Sequence, residues 1–261
     1  MLKITSLQNP KIKELIKLRG SRERKDTGLF LIEGARELGR ALASGFVCKS
    51  LYLCPEILNP ESRKLMELIP IQSQTELTRP IFAKLAVREG SDGLLAVMEA
   101  RTWDFSALPP QPWLLVLENV EKPGNFGALA RTADGVGVDG IVILDPQADL
   151  YNPNAIRASV GALFTRPLIT SNSEMFAAFC QSERIRLITA SPFAKKFHHE
   201  EDLRGAIALV LGSEARGLSS FWDFCEHAQV KIPMLGLADS LNVSVAGAVI
   251  LYESLRQRLQ K

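Results

Sequence analysis

Short apolar runs alternate with stretches of helical periodicity along most of the chain. In the first hundred residues, the runs at 29–32, 47–53 and 94–98 predict strands. Asn9 followed by Pro10 predicts a helix start, because Asn is a preferred N-cap and Pro suits the first helical turn. Helices are further predicted over residues 36–44, 60–68 and 76–85.

The second part of the chain repeats this alternation with longer helices. Strands are predicted at 113–117, 141–144, 185–189, 207–211 and 230–232, with a weaker candidate at 168–170. These runs are continuously apolar, which is typical of a parallel sheet covered by helices on both faces. A last helix is predicted over residues 241–259. The sequence therefore indicates the α/β class.

The chain of 261 residues is about twice the usual length of one domain. Residues 101–112 contain three closely spaced prolines and fit neither periodicity, so they are predicted to be an extended linker. We therefore expect a smaller α/β domain over residues 1–100 and a parallel-sheet domain over residues 113–261.

Charge is unevenly distributed although the net charge is only +2. Residues 1–50 hold 11 Lys and Arg against 5 Asp and Glu, a balance of +6. Such a segment is typical either of a polyanion-binding surface or of a solvated helix face. The candidate phosphate contacts are Lys11, Lys13, Lys17, Arg22, Arg24 and Lys25.

Composition also limits the possible function classes. The four cysteines are scattered without a CxxC pair, which favours reduced, buried thiols over disulfides or a zinc site. No apolar run approaches the roughly 20 residues that span a bilayer. The N-terminus does not resemble a signal peptide. These features together predict a cytoplasmic protein that does not enter a membrane.

Two motifs match known functional patterns, but their sequence context does not support the corresponding functions. Residues 135–140, GVGVDG, match the dinucleotide-binding pattern GxGxxG. That pattern needs a strand before it and a helix after it, whereas here the predicted order is reversed. The pair His198 and His199 followed by Glu200 is better read as a polar surface segment than as a metal site, because adjacent helical side chains diverge.

Three polar loops carry the more informative chemistry. They are residues 123–134 (PGNFGALARTAD), 211–219 (LGSEARGLS) and 232–246 (IPMLGLADSLNVSVA). Each follows a predicted strand, and glycine with small polar residues lets backbone groups approach a ligand closely. Loops of this kind from one sheet indicate one shared site.

In order and spacing, these segments resemble the three motifs of the SpoU-type RNA 2′-O-methyltransferases of the SPOUT superfamily. The resemblance covers residues 113–261 and implies a catalytic domain with a deep trefoil knot. Residues 1–100 resemble, more weakly, the ribosomal-protein-like substrate-binding domain often attached to this family. S-adenosylmethionine is the implied methyl donor and a ribose 2′-hydroxyl of RNA the acceptor, with no metal required. The implied cofactor contacts are Leu211, Gly212, Ile232 and Leu241.

The same resemblance assigns the polar motif residues to the reaction: Asn125, Arg131, Glu214, Ser240 and Asn242. The family arginine is often assigned as general base. A guanidinium holds its proton tightly, so a second hypothesis is that Arg131 clamps an RNA phosphate while it stabilises the emerging alkoxide. Asn125, Ser240 and Asn242 would orient groups around Arg131, and Glu214 would accept a hydrogen bond from it.

Partners follow from the resemblance and from the basic segment. Ribosomal RNA is favoured as substrate, with transfer RNA as the alternative, and the family implies a homodimer formed through the knotted domain. One competing hypothesis is an RNA-binding protein that keeps the fold without turnover. Another hypothesis is a dinucleotide-dependent oxidoreductase. Its support is limited to the GxGxxG match, which lies in the wrong structural order.

Overall fold

The computed structural model of the protein describes residues 2–87, 90–145, 149–213 and 215–260. The chain forms two compact units. Unit 1 comprises Met1–Arg101 and Asp149–Thr165, and unit 2 comprises Thr102–Ala148 and Arg166–Lys261. In the described part, no helix is both long and apolar enough to cross a bilayer.

Unit 1 contains a mixed five-stranded sheet in the order β1-β4-β3-β5-β2. Strands β1, β3 and β4 are parallel neighbours, whereas β5 runs antiparallel to both β2 and β3. The strands are β1 (Leu2–Ile4), β2 (Leu29–Glu33), β3 (Cys48–Leu53), β4 (Gln74–Leu77) and β5 (Leu94–Glu99).

Two helices of unit 1 begin at asparagine N-caps, of which Asn9 was predicted. The Asn9 side chain accepts a hydrogen bond from the peptide N–H of Lys11 at 3.0 Å, and Asn59 caps a later helix in the same way. The apolar face of the first helix, with Ile12 and Leu15 fully buried, packs into the core of the unit. The helices are α1 (Pro10–Lys17), α2 (Ser21–Thr27), α3 (Ala35–Ala43), α4 (Pro60–Glu67) and α5 (Arg79–Leu85).

Two short strands of unit 1 differ from the sequence prediction. Strand β1 was not predicted, and β4 covers residues that were partly assigned to a helix over 76–85. Both are too short for a clear period, and they are held by the pairing of β4 with β1 on one side and with β3 on the other. The helix begins only at Arg79, after the chain has left the sheet.

A segment from the second half of the chain completes unit 1, which the predicted boundary at residue 100 does not include. Helix α7 (Pro153–Ala158) lies in this segment. The Tyr151 ring stacks on Phe30 with centroids 4.3 Å apart, and Phe164 stacks on Phe30 at 5.8 Å. Aromatic burial therefore holds Asp149–Thr165 against strand β2.

Unit 2 contains a seven-stranded sheet whose strand pairings are all parallel, in the order β10-β12-β9-β11-β6-β7-β8. The predicted parallel sheet is thus confirmed. Its strands are β6 (Trp113–Glu118), β7 (Gly140–Leu144), β8 (Leu168–Ser171), β9 (Arg186–Ala190), β10 (Lys196–Phe197), β11 (Ile207–Leu211) and β12 (Ala228–Lys231).

Among the described residues of unit 2, three α-helices accompany this sheet, namely α6 (Pro123–Val136), α8 (Ser173–Ser182) and α9 (Val243–Leu259). Helix α6 ends at a left-handed Gly137 with φ of 82°, and β7 begins at Gly140. The GVGVDG motif therefore ends a helix and leads into a strand. This order is the reverse of the dinucleotide-binding pattern.

Residues 101–112 were predicted to form an extended linker, but Trp103 and Phe105 in this segment pack on unit 2. Trp103 forms a parallel β-bridge with Ile169. The Phe105 ring stacks on Phe179 with centroids 4.2 Å apart, inside a short 3₁₀ segment. The contacts come from the aromatic side chains that precede the three prolines of this segment.

Candidate active site

The three polar loops leave the same edge of the unit 2 sheet. Strand β11 pairs in parallel with both β6 and β9, and β12 pairs in parallel with β9. Because carboxyl ends of parallel strands meet at one edge, the segments that follow β6, β11 and β12 all begin at this edge, those after β6 and β11 side by side and the one after β12 beyond β9. Ligands bind at such an edge in open α/β sheets.

The first loop enters helix α6, which carries Asn125 in its first turn. Pro123 occupies the first helical position, where its missing N–H leaves no intrahelical bond unmade. Phe126 and Leu129 bury one face of the helix, whereas Asn125 is half-buried and Arg131 is exposed. The arginine side chain is therefore accessible to a ligand.

The second loop folds back on itself immediately after β11. Ser213 and Gly217 exchange backbone hydrogen bonds of 3.1 and 2.9 Å, and Gly217 has a left-handed φ of 67°. A Cβ atom on Gly212 would lie 2.3 Å from the Gly217 carbonyl carbon, so only glycine fits there. Leu211, at the strand end, is buried. Glu214, predicted from the second motif, lies outside the described residues.

The third loop runs from β12 to α9 over residues 232–241. Between described residues, no backbone–backbone hydrogen bond involves residues 233–241. Ser240 is exposed, whereas Ile232 and Leu241 are half-buried at the two ends of the loop. The loop thus presents peptide donors and acceptors beside apolar side chains. This combination suits a ligand with a flat, polar-edged ring.

Asn242 joins the third loop to the first. As the N-cap of α9, its Oδ1 accepts from the Ser244 peptide N–H at 3.0 Å and from the Ser244 hydroxyl at 2.6 Å. Its Nδ2 donates to Asn125 Oδ1 at 3.3 Å. A Cβ atom on Gly247 would lie 2.5 Å from Leu129 Cδ2 and 2.7 Å from Leu211 Cδ1. This close approach seats α9 on α6 and β11.

The structure therefore brings together some of the predicted residues and leaves others apart. Asn125 and Asn242 are in contact, and Leu211, Gly212 and Ile232 lie at or just beyond the ends of β11 and β12, which are separated by β9. Arg131 and Ser240 are exposed, Arg131 on α6 and Ser240 in the third loop.

Replacement of Asn242 by alanine is expected to affect activity beyond the loss of a helix cap. The lost cap should cost about 1 kcal/mol of stability. Loss of the hydrogen bond to Asn125 should lower kcat/KM by a further factor of about 3 to 10. Asn172→Ala is the matched control, since Asn172 caps α8 through the Met175 peptide N–H at 2.7 Å. Equal kinetic defects in both variants would contradict the assignment of Asn242.

Sequence reasoning missed one prominent residue of this edge, Glu118, the last residue of β6. It is 1% exposed, and its carboxylate accepts hydrogen bonds from Ser173, Ser219 and Trp222. The available signal was an acidic residue directly after a continuous apolar strand. Glutamate is rarely buried unless its oxygens are paired.

Metal and thiol chemistry receive little support from the described residues. Within the described ranges, no group of three or more His, Cys, Asp or Glu side chains could hold a metal ion. All four cysteines are free thiols. Burial raises the pKa of the Cys180 thiol to about 12 and that of Cys48 to about 11. A thiolate nucleophile is disfavoured at both positions.

The predicted phosphate contacts lie in unit 1, and five of the six are exposed: Lys11, Lys13, Lys17, Arg22 and Lys25.

The prediction that Arg24, the sixth of these residues, contacts phosphate is wrong, because Arg24 is only 5% exposed. Its guanidinium forms an ion pair with Asp149 and donates to the Leu18 carbonyl at 2.6 Å. This pair fixes α2 to the inserted segment, so Arg24 is a structural residue.

Comparison with known proteins identifies the relatives of this chain. A model described as the SpoU rRNA Methylase family matches residues 112–252, and a model of an MRM3-like substrate binding domain matches residues 9–96. An uncharacterized tRNA/rRNA methyltransferase of Synechocystis is 32% identical over 98% of this chain and 94% of its own length.

Two further relatives cover nearly the whole chain. A 23S rRNA (uridine(2479)-2′-O)-methyltransferase of Streptomyces viridochromogenes is 29% identical over 98% of this chain and 93% of its own. The crystal structure of the SpoU methyltransferase AviRb from the same organism, in complex with the cofactor AdoMet, superposes with a TM-score of 0.87. That structure is 27% identical and covers 97% of this chain and 99% of the other.

Proposed function

Because the chain belongs to the SpoU rRNA Methylase family, we propose that it transfers a methyl group from S-adenosylmethionine to a ribose 2′-hydroxyl of ribosomal RNA. The observation that carries this proposal is the meeting of the first and third polar loops through Asn125 and Asn242, beside the folded second loop. Ribosomal RNA is favoured over transfer RNA because the relative from Streptomyces acts on 23S rRNA. Such a substrate would place the enzyme in the cytoplasm.

The cofactor site is proposed at the ends of β11 and β12. Leu211 and Ile232 would flank the ligand, while Gly212 and Leu241 would border it through the adjoining loops. The unbonded peptide groups of residues 233–241 fit an adenine ring, whose edge needs both donors and acceptors. When bound, S-adenosylmethionine supplies a methyl group already activated by a positively charged sulfur.

Protein groups must then prepare the acceptor hydroxyl. The hydroxyl is a weak nucleophile until its proton is removed or polarised, and it must lie in line with the methyl group. Asn125 and Asn242 would orient the ribose, with Ser240 as a third polar contact from the same loop. Glu214 stays a candidate acceptor for the Arg131 guanidinium. Arg131 would either take the proton or stabilise the alkoxide while it holds a phosphate.

A deep trefoil knot is part of the proposal for unit 2. The sheet order places β11 between β6 and β9, and β9 between β11 and β12, so the late strands lie among earlier ones. Helix α9 then returns to pack on α6. The family resemblance, rather than general folding rules, motivates the knot, since knotted chains are rare.

We also propose a homodimer formed through unit 2. Val245, Tyr252 and Leu259 are exposed on α9, and their spacing of seven residues puts them on one face. By contrast, Val243, Ile250 and Leu251 are buried within the unit. Sedimentation at micromolar concentration should therefore give twice the chain mass of 28.8 kDa. A strict monomer would exclude the dimer.

Unit 1 is proposed to bind the RNA substrate. We expect the triple variant Lys11→Glu, Lys13→Glu and Lys17→Glu to weaken RNA binding and to reduce its salt dependence. The slope of log K against log salt should fall in magnitude by about 0.7 to 0.9 for each phosphate that the variant no longer neutralises. Filter binding at several salt concentrations measures this slope.

The matched control for this variant reverses three other exposed charges of unit 1, Arg63, Lys64 and Lys84. It produces the same change in net charge at a different place. Equal slopes for the two variants would mean that α1 does not contact phosphates and is merely a solvated face.

Methyl transfer from labelled S-adenosylmethionine to unmodified ribosomal and transfer RNA transcripts tests the proposed function. Digestion to nucleosides should place the label in a 2′-O-methyl nucleoside of ribosomal RNA. Label in transfer RNA alone would correct the substrate. Cofactor binding without transfer to either RNA would point to an assembled ribosomal particle. Neither binding nor transfer would support an RNA-binding scaffold without turnover.

A further inference from the structure

Glu118 places a carboxylate in the interior of unit 2, next to the second polar loop. It is 1% exposed, and Trp222 beside it is 2% exposed. Burial of an ionised carboxylate is costly unless its oxygens are fully hydrogen-bonded. The groups that donate hydrogen bonds to the Glu118 carboxylate therefore indicate which part of the structure this residue stabilises.

The carboxylate is surrounded by donors from two segments. Oε2 accepts from the Ser219 peptide N–H at 2.8 Å. Oε1 accepts from the Ser219 hydroxyl at 2.7 Å and from Trp222 Nε1 at 3.0 Å. The Ser173 hydroxyl lies 3.3 Å from Oε1 and 3.1 Å from Asp145 Oδ2. Three of the four donated bonds therefore come from the last residue of the second loop, Ser219, and from the short 3₁₀ segment that follows it.

These bonds close the second loop on the end of a single strand. The loop enters from Leu211, which pairs with Leu117 of β6. It leaves at Ser219, which is bound to Glu118, the next residue of the same strand. Both ends of the loop are thus fixed on adjacent residues of β6. In between, the backbone of Gly212 lies against that of Gly217, where no side chain fits.

We propose that Glu118 is a positioning residue that presets the second loop for cofactor binding. The inference rests on the proposed function, because it assigns Leu211 and Gly212 to the cofactor site. In the free protein the carboxylate would hold the loop in its folded-back form, so that binding does not have to order it. Preorganised loops bind more tightly because less conformational entropy is lost on binding.

The variant Glu118→Gln tests the positioning role of Glu118, because a glutamine side chain has almost the same shape as glutamate. The amide offers only one acceptor oxygen, so either the Ser219 peptide N–H or the Trp222 indole N–H faces another donor. We expect the Kd for S-adenosylmethionine to rise about 10- to 100-fold, the effect of losing a hydrogen bond to a buried charge. Calorimetric stoichiometry, the KM for RNA and kcat at saturating cofactor should stay close to those of the wild type.

Hydrogen exchange of the cofactor-free protein supplies a readout that is independent of activity. Peptides that cover residues 212–224 should exchange faster in Glu118→Gln, while peptides from α6 and α9 should be unchanged. Asp145→Asn is the matched control, since Asp145 shares the Ser173 hydroxyl but has no described contact with Ser219 or Trp222. It should alter neither the exchange of this segment nor the Kd for cofactor.

Ser219→Ala provides a second variant if Glu118→Gln does not fold. It keeps the carboxylate and removes only the hydroxyl donor, so a smaller loss of cofactor affinity in the same direction is expected. In the double variant the two losses should be less than additive, because both act through one contact.

Wild-type cofactor affinity and wild-type exchange in Glu118→Gln would overturn the proposal, as would parallel losses in RNA binding, kcat and thermal stability. If the wild-type protein itself bound no S-adenosylmethionine, the proposed function would fail instead.

Discussion

Replacement of Arg131 by alanine is expected to lower kcat for RNA methylation by about 10²- to 10³-fold, the usual loss when one charge-stabilising donor is removed. The side chain is exposed on α6 and is not needed for packing. Stability should therefore change by less than about 0.5 kcal/mol. Cofactor affinity should be retained, because the proposed cofactor residues lie on other segments. Single-turnover methyl transfer with saturating RNA measures the effect.

Arg204→Ala is the matched control for this prediction. Arg204 is also exposed, but it precedes β11 at the amino end of the sheet and pairs with Asp202 on the surface. It should leave turnover unchanged. Activity of Arg131→Ala within about threefold of the wild type would remove this residue from the site, since charge-stabilising groups contribute far more than that. Loss of cofactor binding would assign it a different role.

Arg131→Lys distinguishes the two roles that the sequence leaves open. A lysine keeps the charge but loses the planar fork that grips a phosphate or alkoxide through two bonds. If Arg131 acts as a clamp, the lysine variant should be nearly as inactive as the alanine variant at every pH. Substantial turnover with a shifted pH profile would instead support a role in proton transfer.

Replacement of Arg24 by alanine is expected to destabilise unit 1 by about 3 to 5 kcal/mol, because it leaves the Asp149 carboxylate buried without its partner. The two side chains are 4% and 11% exposed. Hydrogen exchange of peptides from α1 and α2 measures the loss within the intact chain. All three tryptophans lie in unit 2, so their fluorescence reports separately on that unit.

Arg22→Ala is the matched control for Arg24. Its side chain is 95% exposed and lies 3.7 Å from Asp26, so its removal should cost less than about 1 kcal/mol. The double variant Arg24→Met with Asp149→Leu should recover much of the lost stability, because no charge stays buried. A loss below about 1 kcal/mol in Arg24→Ala would contradict the structural role of the ion pair.

Local pattern was sufficient for the elements that hold the candidate site. Strand β11 was predicted with its observed bounds, and Asn9 was predicted correctly as a cap. Continuous apolar runs mark strands that are buried on both faces, and capping depends on residues only a few positions away. The three polar loops were recognised for the same reason, since each is a contiguous segment that follows a strand.

The predictions that were wrong or missing share one cause, because the features concerned depend on contacts between residues far apart in the sequence. Arg24 and Lys25 are neighbours in one basic segment, yet only Arg24 meets Asp149, 125 residues further along the chain. Likewise, β1 and β4 form because β4 pairs with both β1 and β3, although neither short strand shows a period of its own. In the sequence, Glu118 appears only as the residue after a predicted strand. Its hydrogen-bond partners lie more than 50 residues away in the chain, so local pattern does not reveal its burial.

The amino-acid sequence by itself determined the α/β class, the parallel sheet of unit 2 and the three segments that form the candidate site. The tertiary structure alone decided the composition of unit 1, the burial of Arg24 and Glu118, and the contact between Asn125 and Asn242. Periodicity and turn chemistry record the burial and backbone conformation of nearby residues. They do not record which distant segments meet. Contacts between segments that are distant in sequence depend on packing of the whole fold. The contacts of Arg24, Glu118, Asn125 and Asn242 are of this kind.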